Sequence, residues 1–329
     1  MKRLLSGITP TGELHIGHYI GAITHFIEMQ KSYESFVFVA DLHSLTVNPD
    51  PKELKENIRK MVGVYLACGL DPKQTCLFNQ SENIYHPMLS WALECNSYMG
   101  ELSRMTQYKE KSQNKQSESV TCGLFTYPVL MASDILIYDA DVVPVGGDQK
   151  QHVELTRNIA ERFNNKYGTT FKIPNPVIAE SGARIMDLQN PNKKMSKSDE
   201  NPKGVIFLLE DIQKARKKIM SAVTDSDNVI KYDVANKPGI SNLITIYSCL
   251  TNENIDNVEE AFANASYGEF KTKVADEVEK LLQNIQTKYN EIIKGDYIDN
   301  VLDEGLKRAE KIAKEKAYDV YKKLGVGRY

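Results

Sequence analysis

"RLLSGITPTGELHIGHYIGAI", residues 3–23, decides the fold. Its first six residues are a short apolar run suited to a buried strand. A Thr-Pro-Thr-Gly turn follows. Then Leu14, Ile16, Tyr19, Ile20 and Ile23 recur at the spacing of a helix face. The early turns of that helix carry Gly17 and Gly21, although glycine weakens a helix by about 1 kcal/mol each. A helix start behind a strand offers free N–H groups and a positive dipole end to an anion. Glycine there lets a phosphate approach the backbone. His15 and His18 sit in the same turn, where they could hydrogen-bond phosphate oxygens as charge builds. An ordinary amphipathic helix with two histidines would carry the same letters.

Working outward, residues 35–41 read as a second strand, with a helix over 14–31 between the two. Residues 49–69 form a helix with clear punctuation: Asp50 can cap it, Pro51 suits its first position and Gly69 its stop. A third strand falls at 75–81. This alternation predicts a parallel sheet with right-handed crossovers, whose ligands bind beyond the C-terminal ends of the strands. Residues 108–119 are polar and read as a loop. The run 124–141 is apolar apart from acids such as Asp134, and 142–163 reads as strand, Gly-Gly turn and helix. Residues 183–188 read as a further strand. Beyond about 205 the pattern is helical. The fold expected is α/β, a Rossmann-like doubly wound parallel sheet over 1–204. An all-α domain over 205–329 follows, its last helix able to pack back on the first.

The 329 residues suffice for two domains, and a net charge of −3 gives no global basic field. Five cysteines without a CxxC pair make a poor disulfide framework, so a reducing cytoplasm is expected. No secretory leader or membrane span is read. No His/Cys cluster points to a protein metal site.

A second motif is Lys194-Met195-Ser196-Lys197-Ser198. Two ammonium groups and two hydroxyls suit a leaving triphosphate tail, although most such runs are solvated loops. Together, HIGH at 15–18 and KMSKS at 194–198 resemble the paired signatures of class I aminoacyl-tRNA synthetases. The stretches "GELSRMTQYKEKS", "VPVGGDQKQHVELTRNIAERFN", "GARIMDLQNPNKKMSKSDENP", "SAVTDSD" and "KPGISNLITIYS" resemble the bacterial tryptophanyl-tRNA synthetase family, almost end to end.

That resemblance implies a tryptophan–tRNA ligase of the class I synthetase (HUP) fold. It implies activation of L-tryptophan by ATP and transfer to tRNA(Trp), in a cytoplasmic homodimer without membrane attachment. An indole has one polar atom, a donor, so its pocket needs one acceptor amid apolar walls. The resemblance makes Asp134 that acceptor; a helix cap or a buried salt bridge is the plain alternative. It places Leu5, Met131, Val143 and Val145 on the pocket walls, His43 beside the indole and Gln149 at the amino acid's polar end. Without it, the aliphatic residues would read as core. It assigns Thr9, Pro10, Thr11, Gly17 and His18 to the nucleotide, Gly146, Gly147 and Asp148 to the ribose, and Ile185 to adenine. Lys111 and the motif residues 194–198 would meet the phosphates. His15, His18, Lys111, Lys194 and Lys197 would carry developing charge, with Mg²⁺ riding on the phosphates. The helical domain would read the anticodon.

A tyrosine-specific enzyme, a small-molecule nucleotidylyltransferase and a non-catalytic RNA-binding relative remain the rival readings. A phenol would want a donor–acceptor pair, and neither of the other two needs both motifs.

Overall fold

The computed structural model describes residues 1–10, 12–112, 120–178, 183–196 and 201–328, with Asp148 and Ile178 described by backbone alone. Thr11, Lys197, Ser198 and the Asp148 side chain therefore lie outside the described residues, as does the 113–119 part of the expected loop. Five parallel strands form one sheet: β1 (Arg3–Ile8), β2 (Glu34–Val39), β3 (Thr75–Asn79), β4 (Val142–Val145) and β5 (Asn175–Ile178). Their order is β3-β2-β1-β4-β5. β2 and β3 are buried nearly throughout, as a parallel sheet covered on both faces requires.

The main helices are α1 (16–29), α2 (Pro51–Cys68), α3 (Tyr85–Glu94), α4 (Cys122–Leu136), α5 (Lys150–Tyr167), α6 (Ile212–Met220), α7 (Pro238–Thr251), α8 (Tyr267–Ile292) and α9 (Tyr297–Leu324). Shorter turns lie between them. α1 widens to π geometry over Tyr19–Ile23, which is common beside functional sites. At α2, Asp50 accepts from the Lys52 and Glu53 amides, and Gly69 closes the helix at φ 114°.

Two expectations fail. Residues 183–188 are no strand of the sheet. Their backbone groups go to Lys193, Met195, Gly204 and the Asn242 side chain. The fifth strand is instead Asn175–Ile178, too short and proline-rich to stand out; Pro176 is tolerated because β5 is an edge. The polar run 108–119 begins helically, inside Thr106–Ser112.

The sheet separates two apolar cores. On one face Ile8, Val37, Val39 and Leu77 pack with α1, α2, α7 and α8. On the other, Leu5, Phe36, Phe38 and Phe78 pack with α3, α4 and α5. The C-terminal α9 joins both. Its Ile298, Val301 and Leu302 belong to the first core, and its Ala309, Ala313, Ala317 and Val320 to the second. It crosses the sheet at the β3 edge, where Gly305 lies so close that a Cβ would stand 1.8 Å from the Leu77 carbonyl oxygen. Cys76 Sγ donates to the Gly305 oxygen at 3.0 Å. Among the described residues no helix is long and apolar enough to cross a membrane.

Candidate active site

β1 pairs with β2 along its whole length but with β4 only at Leu4–Val142. The two strands part toward their C-terminal ends, and this is where the strand order reverses. Such a switch point is the usual ligand crevice of an open α/β sheet. A cavity of about 530 Å³ opens there. Its walls come from β1 (Leu5, Gly7), β2 (Phe38), β4 (Val143, Val145) and α4 (Tyr127, Met131, Asp134). His43, Gln149, Gly146, Thr9 and Lys111 also face it. Every residue assigned to the tryptophan pocket thus meets in one cavity. Gly7 is needed for its shape, because a Cβ would lie 2.8 Å from the Phe38 ring.

Asp134 is 1% exposed, and both of its carboxylate oxygens have protein partners. Gln80 Nε2 donates to Oδ1 at 2.7 Å, and His86 Nδ1 lies 2.6 Å from the same oxygen. His43 Nε2 stands 2.7 Å from Oδ2. Burial by itself raises the carboxyl pKa. The hydrogen bonds from His43 and His86 outweigh it and hold the group at about 2. Behind His86, its Nε2 lies 2.7 Å from the Tyr138 hydroxyl, which accepts from Asn83 Nδ2 at 3.0 Å. The Tyr138 proton is then directed at Nε2, which leaves the Nδ1 proton for Asp134. Oδ1 is saturated by the protein, so Oδ2 is the oxygen left to read a ligand's donor. The alternative of a helix cap does not apply, since Asp134 lies inside α4.

Sequence reasoning missed Gln80, Asn83, His86, Tyr138 and Tyr127. Gln80 directly follows β3, as His43 follows β2, so the rule that ligands gather beyond strand ends could have found it. Tyr127 connects the pocket to its rim. Its hydroxyl lies 3.0 Å from His152 Nε2, and the Lys111 ammonium stands 5.4 Å from its ring.

The HIGH turn lies outside this cavity's walls, beside Ile185. A Cβ on Gly17 would meet the His15 ring at 3.0 Å and Ile185 at 3.6 Å. The His15 and His18 rings lie 3.7 Å apart. Not every amide at this helix start is open: Ile16 N–H donates to the Ile206 oxygen and His15 N–H to His18 Nδ1. The His18 and Tyr19 N–H groups donate to the His15 oxygen, at 2.8 and 3.2 Å. Pro10 is buried below the turn. In the second motif Met195 turns inward, joining Ile185, Ile16 and Ile20 in the core, while Lys194 is exposed and Ser196 half-buried. Met195 N–H donates to the Ile185 oxygen at 3.0 Å. Gly147 has open space where a side chain would be. Among the described residues no group of three or more His, Cys, Asp or Glu could hold a metal.

The family model described as tRNA synthetases class I (W and Y) matches residues 1–283. The chain is 52% identical to the tryptophan–tRNA ligase of Malacoplasma penetrans, over 100% of this chain and 99% of that one. It is 50% identical to the same enzyme of Bacillus subtilis, over 99% and 98%. The chain belongs to the tryptophan–tRNA ligases. This ligase architecture recurs in solved structures. The tryptophanyl-tRNA synthetase of Mycoplasma pneumoniae superposes with a TM-score of 0.87 at 40% identity, covering 99% of this chain and 98% of that one. The Campylobacter jejuni enzyme, solved with ADP and tryptophan, gives 0.85 at 34% identity, covering 98% and 100%.

Proposed function

We propose that the tryptophan carboxylate attacks the α-phosphate of ATP in this site, releasing pyrophosphate and leaving tryptophanyl-adenylate. The acyl group then passes to a terminal ribose hydroxyl of tRNA(Trp). The observation that carries this reading is a single buried, ionised acceptor, Asp134, at the base of an apolar cavity at the switch point. The indole N–H meets Oδ2, His43 borders the ring, and Leu5, Met131, Val143 and Val145 wall it. Gln149 faces the amino acid's polar end.

ATP lies across the top of the sheet. Thr9, Pro10, Thr11, Gly17 and His18 hold its phosphates and adenosine, Gly146, Gly147 and Asp148 its ribose, and Ile185 its adenine. The open space at Gly147 supports a ribose there, because no protein packing calls for glycine. Lys111, already on the cavity wall, reaches toward the triphosphate. His15, His18, Lys194, Lys197, Ser196 and Ser198 complete the phosphate side, whereas Met195, expected there as well, gives its side chain to the core and its N–H to Ile185. Phosphoryl transfer asks the protein for positioning and charge stabilisation, so no general base is assigned. Mg²⁺ enters on the triphosphate, bound mainly by phosphate oxygens and water.

Residues 1–204 form the catalytic domain and 205–329 the helical domain that reads the anticodon. From Val301 to Tyr329, eight Lys/Arg stand against five Asp/Glu, an excess able to meet phosphate. The working enzyme is a cytoplasmic homodimer. Support comes from an apolar surface around Leu42, Leu45, Pro87, Trp91 and Leu130, which line a shallow groove. Trp91, the chain's one tryptophan, is 65% exposed there. Trp91→Asp is expected to shift the protein from dimer to monomer in light scattering after size exclusion. An unchanged dimer mass would remove this face from the interface.

The deciding test is ATP–pyrophosphate exchange with each of the twenty amino acids. Exchange with tryptophan alone establishes activation and specificity together. Exchange with tyrosine would keep the class and overturn the role of Asp134.

A further inference from the structure

The backbone at residues 185–187 is gripped from both sides. On one side the Asp187 N–H donates to the Lys193 oxygen at 2.9 Å, and the Ile185 oxygen accepts from the Met195 N–H. Met186 and Lys194 are therefore paired as in an antiparallel ladder. On the other side no strand follows among the described residues. The two outward groups of Met186 both go to one side chain: its N–H donates to Asn242 Oδ1 at 2.8 Å, and its oxygen accepts from Asn242 Nδ2 at 2.9 Å. A single amide completes the ribbon's outer edge as a third strand would.

Asn242 is 4% exposed and belongs to α7, fifty-six residues further along the chain, in the helical region. A close approach sets its reach. Gly239, nearly one turn earlier, lies where a Cβ would stand 2.1 Å from the Val223 oxygen. Val223 N–H in turn donates to the Leu188 oxygen at 2.8 Å. The start of α7 is thus pressed against the same strip of chain that leads into the second motif. Only a carboxamide can donate and accept at once in this geometry; a carboxylate lacks the donor and alanine lacks both.

We propose that Asn242 is a positioning residue for adenylate formation. From the helical region it fixes the 185–187 ribbon, and through that ribbon the adenine wall at Ile185 and the seat of Lys194. This rests on the roles given to those two residues above. It assigns to α7 a task apart from tRNA: the pose of this helix sets where a catalytic ammonium group starts from.

The test is tryptophan-dependent ATP–pyrophosphate exchange by Asn242→Ala, Asn242→Asp, Lys194→Ala and the Asn242→Ala/Lys194→Ala double variant. Asn242→Ala is expected to lower kcat on the order of tenfold or more, as small misplacements near a reacting centre do. The KM for tryptophan, set in the separate Asp134 pocket, should stay within about twofold; it also reports that the variant is folded. Asn242→Asp should be no better than Asn242→Ala, since it leaves the Met186 oxygen facing a carboxylate. The double variant should lose less than the product of the two single losses, because both act through one ammonium group. A damaging Lys194→Ala whose effect multiplies independently with that of Asn242→Ala overturns this proposal alone. So does a rise in tryptophan KM parallel to the loss of kcat. A silent Lys194→Ala overturns the role of Lys194, and this proposal with it.

Discussion

Asp134→Asn is expected to lower kcat/KM for tryptophan activation on the order of a thousandfold or more, as sites built to hydrogen-bond a substrate group do when the match is lost. The substitution keeps volume but changes polarity. The new amide oxygen can still accept from Gln80 and His86, which turns its NH₂ toward His43 and the cavity. A donor then faces the indole donor, and both are buried. The discriminating measurement compares tryptophan with a benzothienyl analogue that carries sulfur in place of the indole N–H. The wild type should prefer tryptophan strongly, and Asp134→Asn should nearly lose that preference. An unchanged preference would remove Asp134 from recognition.

The same variant bears on acid stability. Asp134 is held at about 2 against an ordinary 3.8. A depressed carboxyl stabilises the folded state above its unfolded value and loses that contribution as pH falls through the folded one. The stabilisation is therefore complete above about pH 4 and disappears toward pH 2, worth on the order of 2 kcal/mol. Urea unfolding across that window should slope less steeply with pH in Asp134→Asn. Equal slopes would mean that the carboxylate adds nothing to stability.

Lys194→Ala and Lys197→Ala should each lower the maximal rate of adenylate formation about a hundredfold or more, with the KM for ATP changed only a few-fold. Both ammonium groups are assigned to charge that develops as pyrophosphate leaves. Such groups act in the transition state and contribute little to ground-state binding. Rapid-quench measurement of adenylate formation over a range of ATP concentrations separates the two effects. A large loss of ATP affinity at an unchanged rate would reverse the assignment.

Local features of the fold were readable from the sequence, and distant ones were not. β1, the turn and α1 are contiguous, so spacing alone found them. Asp134 stood out because an acid in so apolar a run needs partners. Of its partners, Gln80 is marked only by its place directly after β3, while His86 and, behind it, Tyr138 come from separate segments and carry no local sign of meeting. Residues 183–188 look like a strand because they are extended and apolar, yet their hydrogen bonds close on a side chain and a neighbouring loop. Met195 carries a motif letter, but its side chain serves the core. Asn242 sits in "KPGISN" like any polar helix residue, and only the approach permitted by Gly239 gives it a task.

The crossing of α9 over β3 also bears on how the chain is made. Synthesis runs from the N-terminus, so β3 can pair with β2 early, while the helix that shields its outer side follows only after α8. Through most of translation the nascent sheet has a bare flank, open to another nascent chain or to a chaperone. Completion of the final helix is then the event that closes it. Ribosome-bound chains stopped before Tyr297 should be digested by protease near β3, and those extended past the final helix should resist. Equal resistance of the two would mean that the flank is guarded by something earlier in the chain.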